Sequence, residues 1–294
     1  ATRRLESLGL AVTFGEHVED IDEFISSSIA SRVADLHAAF ADPKVKAIFC
    51  VIGGFNCNQL LPHLDWELIR NNPKIFIGYS DITALQNAML ARADLVTYSG
   101  PTYSAFGQKL HFDYTLEYLK KCLFETAPFS AIPAEEWTDD AWYLNQDDRH
   151  PMPNDGFWTL SKGDAEGTII GGNLSTLLIL QGTPYFPVAK DIILFLEDDD
   201  ESRYHHFDRQ FESLLQAMPI EHIRGIVFGR FQGKSAITRK HMETLVCIRP
   251  QLADIPIIAN ADFGHTSPII TFPIGGSARL VARDDKVEIK IVKH

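Results

Sequence analysis

The chain has few cysteines, no surplus of basic residues and no long apolar run. Its four cysteines, Cys50, Cys57, Cys122 and Cys247, are scattered without a CxxC pair, which favours a reducing cytoplasm over an oxidising compartment. The formal net charge of −12 argues against a nucleic-acid partner or an anionic membrane surface. No apolar run approaches the roughly 20 residues that a membrane helix needs. We therefore expect a cytoplasmic protein that binds neither nucleic acid nor membrane.

Several cofactor and metal motifs are also missing. The run from Gly53 to Asn58 lacks the G-x-G-x-x-G spacing of a dinucleotide-binding turn, and the chain has no Walker A motif. The acidic run from Glu197 to Glu201, with His205 and His206 nearby, lacks both HExxH and the glycine of an EF-hand loop. A solvated acidic loop is the favoured interpretation there. We expect no cofactor and no metal.

The pattern of apolar residues predicts two domains of the α/β class. A length of 294 residues suits two domains. In the first half, short apolar runs such as residues 45–52 and 74–77 alternate with helical patterns such as Ile82, Leu85 and Met89. This alternation is typical of βαβ units and a mainly parallel sheet. Apolar runs resume at residues 167–170, 191–196, 225–228 and 255–259, and two β-rich runs, 269–274 and 278–292, close the chain.

Changes in composition set the expected domain boundaries. We predict an N-terminal αβα domain over residues 1–128 and a β-rich C-terminal domain over residues 166–294. Residues 129–165 contain several prolines, an acidic and aromatic run and no sustained period, so we expect an interdomain linker loop there. The first fourteen residues read as the end of a helix, a stop at Gly9 and a strand, which predicts that an upstream strand is missing from this chain.

The most informative segment is residues 74–85, in which an apolar run stops at Gly78 and a helical pattern begins directly after Ser80 and Asp81. Such a strand-to-helix turn exposes the serine hydroxyl and surrounds it with the unpaired N–H groups of a helix N-terminus. A nucleophile needs that exposure, and the oxyanion that it forms needs those donors. The local pattern leaves a second interpretation open, in which Ser80 only caps the helix.

Two polar residues in the second half also follow predicted strands. Glu197 follows the strand at residues 192–196, and His265 lies in a turn-rich run after residues 255–259. Serine chemistry needs a base and an orienting carboxylate, and these residues would supply them. Taken alone, Glu197 could be a solvated charge and His265 a turn histidine.

Glycines follow the strand at residues 45–52. Gly53 and Gly54 would let the backbone approach a ligand closely, and the Gly54 amide could form an oxyanion hole with the Asp81 amide.

Taken together, these segments resemble the LD-carboxypeptidase family of serine peptidases (family S66), and within it the microcin C immunity (MccF-like) branch. The resemblance runs from near residue 5 to near residue 292. The matching motifs are the oxyanion loop at residues 52–62, the nucleophile turn at 77–84, the opening of the second domain at 171–174, and the triad glutamate and histidine positions at 194–198 and 262–265.

The resemblance implies a flavodoxin-like αβα first domain and a β-rich, swivelling β-barrel-like second domain. Ser80 would lie on the first domain, with Glu197 and His265 on the second, so the active site would lie between them. It also implies a cytoplasmic homodimer that needs no metal. Ser80 would attack an amide, His265 would act as the base, and Glu197 would orient it, with Gly54 and Asp81 as the oxyanion donors.

Two substrate classes are compatible with this chemistry. The first is an aminoacyl or peptidyl group joined to a nucleotide by an amide bond. Aromatic side chains favour this class because they could stack on the base; the candidates are Trp142, which is the first choice, Tyr143, Trp137 and Trp158. Gly53 is also expected to contact the substrate. The aromatics could instead anchor the linker. The second class is the murein tetrapeptide, which would lose its terminal D-Ala. A third interpretation is a non-catalytic protein that binds a nucleotide or peptide.

Overall fold

The computed structural model describes all residues from Ala1 to His294. The α-helices are α1 (Thr2–Glu6), α2 (Ile29–Ala41), α3 (Trp66–Asn71), α4 (Thr83–Ala93), α5 (Asp113–Leu123), α6 (Leu174–Leu178), α7 (Tyr204–Ala217) and α8 (Arg239–Cys247). Short 3-10 helices span Cys57–His63, Ser80–Ile82, Tyr103–Gly107, Ile220–His222, Gly233–Ser235 and Pro250–Leu252. No helix combines the length and apolar character needed to cross a membrane.

The strands divide between two main sheets and one short hairpin. They are β1 (Ala47–Phe49), β2 (Ile75–Gly78), β3 (Thr97–Ser99), β4 (Phe129–Ala131), β5 (Glu136–Trp137), β6 (Met152–Pro153), β7 (Trp158–Ser161), β8 (Gly163–Asn173), β9 (Ile192–Glu197), β10 (Ile223–Gly229), β11 (Ile257–Ala261), β12 (Phe272–Ile274), β13 (Ser277–Ala282) and β14 (Val287–Lys293). The hairpin pairs β5 with β6.

The first sheet has the order β1-β2-β3-β12 and forms the middle layer of an αβα sandwich. Its first three strands are parallel, as the alternating pattern predicts. Phe76 points into the core that includes Met89 of α4, whereas its neighbour Ile77 points to the other face, where Leu5 of α1 and Leu119 of α5 pack. This alternation between faces is what a strand covered by helices on both sides requires.

The fourth strand of this sheet comes from the second half of the chain. Strand β12 pairs antiparallel with β3, with Phe272 opposite Ser99. The ring of Phe272 also packs against Phe195, on β9 of the other sheet, at 4.7 Å between ring centroids. The C-terminal part of the chain therefore completes the N-terminal sheet, and this strand ties the two domains together.

The second sheet has eight strands in the order β4-β14-β13-β8-β9-β10-β11-β7. Strands β8 to β11 are parallel to one another, and the remaining neighbours pair antiparallel. Helices α6, α7 and α8 pack on one face through residues such as Leu177, Phe211 and Met242. The carboxyl ends of β9, β10 and β11 meet at one edge, which is where α/β sheets commonly bind ligands.

The segment expected to be an interdomain linker, residues 129–165, contributes strands β4 and β7 and the start of β8 to the C-terminal sheet. Strand β4 forms one edge of that sheet and β7 forms the other. The prolines in this segment suggested a loop, but edge strands are short and tolerate proline beside them. The longest part of this segment without helix or strand lies between the two strands of the hairpin, at residues 138–151. The strand expected before Phe14 is not formed either, since residues 10–15 contain no helix or strand.

Candidate active site

The turn between β2 and α4 holds Ser80 in an unusual backbone conformation. Ser80 has a φ of 65°, in the left-handed region that a residue with a side chain seldom occupies. It is the first residue of the 3-10 turn Ser80–Ile82, which leads directly into α4. Strain of this kind costs about 1–3 kcal/mol and is found mainly at functional sites. The helix-cap interpretation does not account for it, because the Ser80 hydroxyl bonds to the His265 imidazole and not to a backbone N–H of the helix.

The glycine-rich loop after β1 lies against this serine. A Cβ atom added to Gly53 would lie 2.9 Å from the Cβ of Ser80, so a larger residue would displace one of the two backbones. The loop is held from both sides. The buried carboxylate of Asp81 accepts a hydrogen bond from the Cys57 amide at 2.8 Å, and the Arg32 guanidinium donates to Asn56 Oδ1 at 2.9 Å. Asp81 therefore joins the loop to the serine turn.

Glu197 is the last residue of β9, and its side chain fits there because Gly229 and Gly264 have no side chains to occupy the same space. The residue is 2% exposed. A Cβ on Gly264, whose φ is +109°, would lie 2.8 Å from Glu197 Oε2, and a Cβ on Gly229 would lie 2.9 Å from Glu197 Cβ. A buried carboxylate with so little room can adopt few orientations, and this one is directed at the following turn.

His265 lies between the glutamate and the serine. With its proton on Nδ1, the imidazole donates to Glu197 Oε2 at 2.7 Å, and Nε2 accepts from the Ser80 hydroxyl at 3.0 Å. The Tyr79 ring packs edge-on against the imidazole at 5.3 Å between centroids. The structure thus brings together Ser80, Glu197 and His265, which are far apart in the chain.

The electrostatic environment favours the charged form of the histidine. Burial alone would lower the pKa of His265, but the charge of Glu197 and its hydrogen bond to the ring outweigh this, so the pKa lies above the ordinary value of 6.5. Burial, together with the charge of Glu197, raises the pKa of Tyr79 to about 12. Burial and the neighbouring carboxylates of Glu197 and Asp199 raise the pKa of Asp198 to about 6.

The four aromatic residues proposed for substrate binding fall into two places. Trp137 and Trp158 line a cavity of about 270 Å³ at the ends of β10 and β11, where the Arg230 guanidinium lies 5.2 Å from the Trp137 ring centroid. Trp142 and Tyr143 form an edge-on pair, 6.0 Å apart, in a turn whose tyrosine is 70% exposed. None of the four stacks on the histidine; that contact belongs to Tyr79.

The segment that carries Trp142 spans the two domains beside the histidine. Thr138 and Ser267 exchange two backbone hydrogen bonds, of 2.7 and 2.8 Å, two residues beyond His265. Further along, the Gln146 carbonyl oxygen Oε1 accepts from the Lys109 amide of the first domain at 3.0 Å. Trp142 lies between these two attachments, so it belongs to a segment that crosses from one domain to the other.

Sequence patterns missed two contributors to the site. Tyr79 stands next to Ser80 in the turn, and its large ring in an otherwise small-residue turn was the available signal. Asn173, at the end of β8, lies level with Glu197 in the parallel register and donates to Asp198 Oδ1 at 3.1 Å. The sequence shows two glycines before Asn173, but it does not show that this residue contacts α4.

A serine hydroxyl, an imidazole and a buried carboxylate in hydrogen-bonded series, at the interface of two α/β domains, define a serine-type hydrolase. Two family models match the chain. The LD-carboxypeptidase N-terminal domain matches residues 1–100, and the LD-carboxypeptidase C-terminal domain matches residues 166–280. The chain belongs to the LD-carboxypeptidase family of serine peptidases.

Relatives and solved structures agree with this assignment. Putative carboxypeptidase YocD of Bacillus subtilis (strain 168) is 50% identical over all of this chain and 90% of its own length. An MccF-like protein from Bacillus anthracis str. Ames has a solved structure that matches with a TM-score of 0.98 at 50% identity, over 100% of this chain and 90% of that one. MccF in complex with glutamyl sulfamoyl guanosine matches with a TM-score of 0.88 at 28% identity, over 99% and 89% of the two chains.

The contact between Glu197 and His265 predicts a measurable histidine titration. In nuclear magnetic resonance titrations, the His265 imidazole should have a pKa above 6.5, and Glu197→Gln should lower it by roughly 1 to 3 pH units, because the variant lacks the charge that stabilises the imidazolium. His265→Gln assigns the signal. An unchanged His265 pKa in Glu197→Gln would contradict the described contact.

Proposed function

We propose that this protein is a metal-independent serine peptidase or amidase that hydrolyses the amide joining an aminoacyl or peptidyl group to a nucleotide. The observation that carries the reaction is the hydrogen-bonded series from Ser80 through His265 to Glu197, at 3.0 and 2.7 Å. These distances lie within the reach that proton transfer requires. A half-buried serine in a tight turn and a buried glutamate behind the histidine match the division of roles in such a triad.

The reaction proceeds through an acyl-enzyme. Ser80 Oγ attacks the acyl carbon while His265 Nε2 takes its proton, and Glu197 stabilises the imidazolium. The tetrahedral intermediate collapses, the carbon–nitrogen bond breaks, and the leaving nitrogen takes the proton from His265. Water then attacks the ester, losing its proton to His265, and that proton returns to Ser80 as the acid is released.

Backbone amides supply the stabilisation of the oxyanion in this scheme. The N–H groups of Gly54 and Asp81 have no protein acceptor among the hydrogen bonds of the loop and the turn. Asp81 is the second residue of the 3-10 turn Ser80–Ile82, and N–H groups at the start of a helix lack intrahelical acceptors. Each such donor is worth roughly 3 kcal/mol of transition-state stabilisation. Gly53, which lies against Ser80, would line the same part of the substrate site.

The nucleotide half of the substrate is supported by the aromatic residues and by a solved neighbour. MccF, which shares the fold along almost the whole chain, was solved with glutamyl sulfamoyl guanosine bound. Trp142 lies in the segment that spans the two domains beside His265, and a tryptophan there could stack on a base. Tyr143, Trp137 and Trp158 are the further candidates, in the exposed turn and the neighbouring cavity.

A second candidate substrate is the murein tetrapeptide, from which an LD-carboxypeptidase would release the terminal D-Ala. The family models that match both domains bear the name of that activity. The same triad would carry the reaction, so only the groups that bind the leaving portion distinguish the two substrates. A non-catalytic binding protein is less well supported, because binding alone does not call for a strained serine within hydrogen-bond reach of a histidine.

We also propose that the protein acts in the cytoplasm as a homodimer. Exposed apolar side chains lie beside the glycine-rich loop, where Phe24 and Ile25 are 70% and 81% exposed and Phe55 is 60% exposed. The two segments touch, since the Ser26 hydroxyl donates to Asn56 Oδ1 at 3.3 Å. Exposed apolar side chains on two touching segments are compatible with a protein–protein contact.

Replacing Ser80 by alanine tests the nucleophile. Ser80→Ala should lower kcat by roughly 10⁴-fold or more, because no acyl-enzyme can form, while the far-UV circular dichroism and the melting temperature stay close to those of the unmodified protein. Ser7→Ala, which removes an exposed hydroxyl bonded only to a nearby carbonyl, is the matched control and should keep full activity. Turnover by Ser80→Ala would refute the proposed mechanism.

A comparison of two substrates tests the nucleotide assignment. An aminoacyl sulfamoyl adenosine should be hydrolysed faster than a murein tetrapeptide, and Trp142→Ala should raise KM for the nucleotide substrate by roughly 5- to 100-fold through lost stacking. The matched comparison is an aminoacyl amide without a base, which Trp142→Ala should cleave as well as the parent does. Preference for the murein peptide would favour the second candidate, and unchanged KM would remove Trp142 from the site.

A further inference from the structure

We propose that Thr83 and Asn87 of α4 are positioning residues that set the distance between Ser80 and His265 by holding the nucleophile helix on strand β8. The inference rests on the proposed triad, since it concerns how the two domains bring the serine and the histidine together. Neither residue is within the hydrogen-bonded series itself. They act through the helix that begins at the serine turn.

Both side chains make hydrogen bonds across the domain interface. The Thr83 hydroxyl accepts a hydrogen bond from the backbone N–H of Asn173 at 3.0 Å. The Asn87 amide group donates to the Gly171 carbonyl at 2.8 Å and accepts from the Gly171 N–H at 3.4 Å, so it pairs with one residue through both a donor and an acceptor. Asn87 also donates to the carbonyl of Thr83 at 2.8 Å, which links the two contacts.

The strand is shaped to receive this helix. Gly171 and Gly172 have φ values of +134° and +116°, which glycine adopts without strain. A Cβ on Gly172 would lie 2.5 Å from the Thr83 hydroxyl oxygen, and one on Gly171 would lie 2.0 Å from the carbonyl oxygen of Phe195. The missing side chain of Gly172 therefore lets α4 approach β8 closely, and that of Gly171 lets β8 approach β9.

These contacts complete a closed ring through both domains. Thr83 lies three residues after Ser80, within about one helical turn of it. Its partner Asn173 lies level with Glu197 in the parallel register of β8 and β9. From Glu197 the ring continues to His265 and returns to Ser80. A shift of α4 along β8 would therefore change the distance between the Ser80 hydroxyl and the imidazole.

Apolar packing alone would not hold this position. The surrounding interface is apolar, with Leu85, Met89 and Leu174 in one continuous core. Apolar contacts have no direction, so neighbouring helix positions differ little in energy. Thr83 and Asn87 are 1% and 0% exposed, so a displaced helix would leave buried donors and acceptors unpaired at about 1–3 kcal/mol each. The hydrogen bonds thus select one helix position.

Thr83→Val tests this inference, because valine keeps the shape of threonine and removes the hydroxyl. Thr83→Ser keeps the hydroxyl and should restore the parent behaviour. The matched control is Thr97→Val, which removes another fully buried hydroxyl, bonded at 3.4 Å to the Gln86 carbonyl within the first domain. The readouts are kcat, KM, melting temperature and the rate at which a fluorophosphonate labels Ser80. In that labelling, a phosphorus–oxygen bond forms, fluoride leaves, and His265 takes the serine proton.

In Thr83→Val, kcat and the labelling rate should fall together by roughly 10- to 100-fold, the cost of misplacing reacting groups, while KM stays within about twofold. Thr97→Val should show the parent kcat and labelling rate, whatever its melting temperature. A role in stability alone would lower the melting temperature of Thr83→Val and leave the activity of the folded protein unchanged, which would overturn the inference.

The outcomes separate this inference from the proposed function. If the unmodified protein is not labelled at Ser80, the triad proposal fails and the positioning role fails with it. If the unmodified protein is labelled and folded Thr83→Val is labelled equally fast, only the positioning role fails. Should Thr83→Val not fold, Asn87→Ala is judged by the same criterion, with a fall of kcat at constant KM expected and an unchanged kcat overturning the inference.

Discussion

The hydrogen bond between the Ser80 hydroxyl and His265 Nε2 is the constraint on which the rest of the site depends. Its two partners belong to different domains, so the bond exists only when the domains hold one relative position. The chain meets this requirement in several ways. Strand β12 crosses over to complete the first sheet, the apolar cores of the domains are continuous, and the segment from Thr138 to Gln146 contacts both sides.

The same constraint explains the unfavourable features around the serine. A positive φ at Ser80, a glycine backbone packed against its side chain and a buried Glu197 would each destabilise the fold in isolation. Here they act together. The strained turn directs the Ser80 hydroxyl at His265 Nε2, and the buried Glu197 carboxylate bonds to Nδ1 on the other side of the imidazole. The apolar core shared by the two domains supplies the stability that offsets these features.

Much of the architecture could be predicted from the sequence because its signals are local. The apolar runs at residues 74–77 and 191–196 each stop one residue before the end of a strand, β2 and β9 respectively. The end of each run therefore identified Ser80 and Glu197 as polar residues at or just after strand ends. His265 had only a turn pattern, and its selection relied on the other two. The interdomain linker prediction was wrong in extent, because β4 and β7 are edge strands whose partners lie elsewhere in the chain.

Contacts between distant segments explain what the sequence could not show. Thr83 and Asn87 look like ordinary polar positions of a helix, and their partners lie 90 and 84 residues further along the chain. The crossing of β12 was hidden for the same reason, since an apolar run does not say which sheet it joins. The aromatic residues were visible in the sequence, but only the structure separates Trp137 and Trp158, which line the cavity, from Trp142 and Tyr143, which pair in the turn.

The most direct test of this account is to identify the residue that a fluorophosphonate modifies. Peptide mapping by mass spectrometry should find one adduct, on Ser80, and His265→Ala should be labelled far more slowly because the hydroxyl has then lost its base. An adduct on another residue, no adduct, or equally fast labelling of His265→Ala would contradict the claim that these two side chains form one nucleophilic unit across the domain interface.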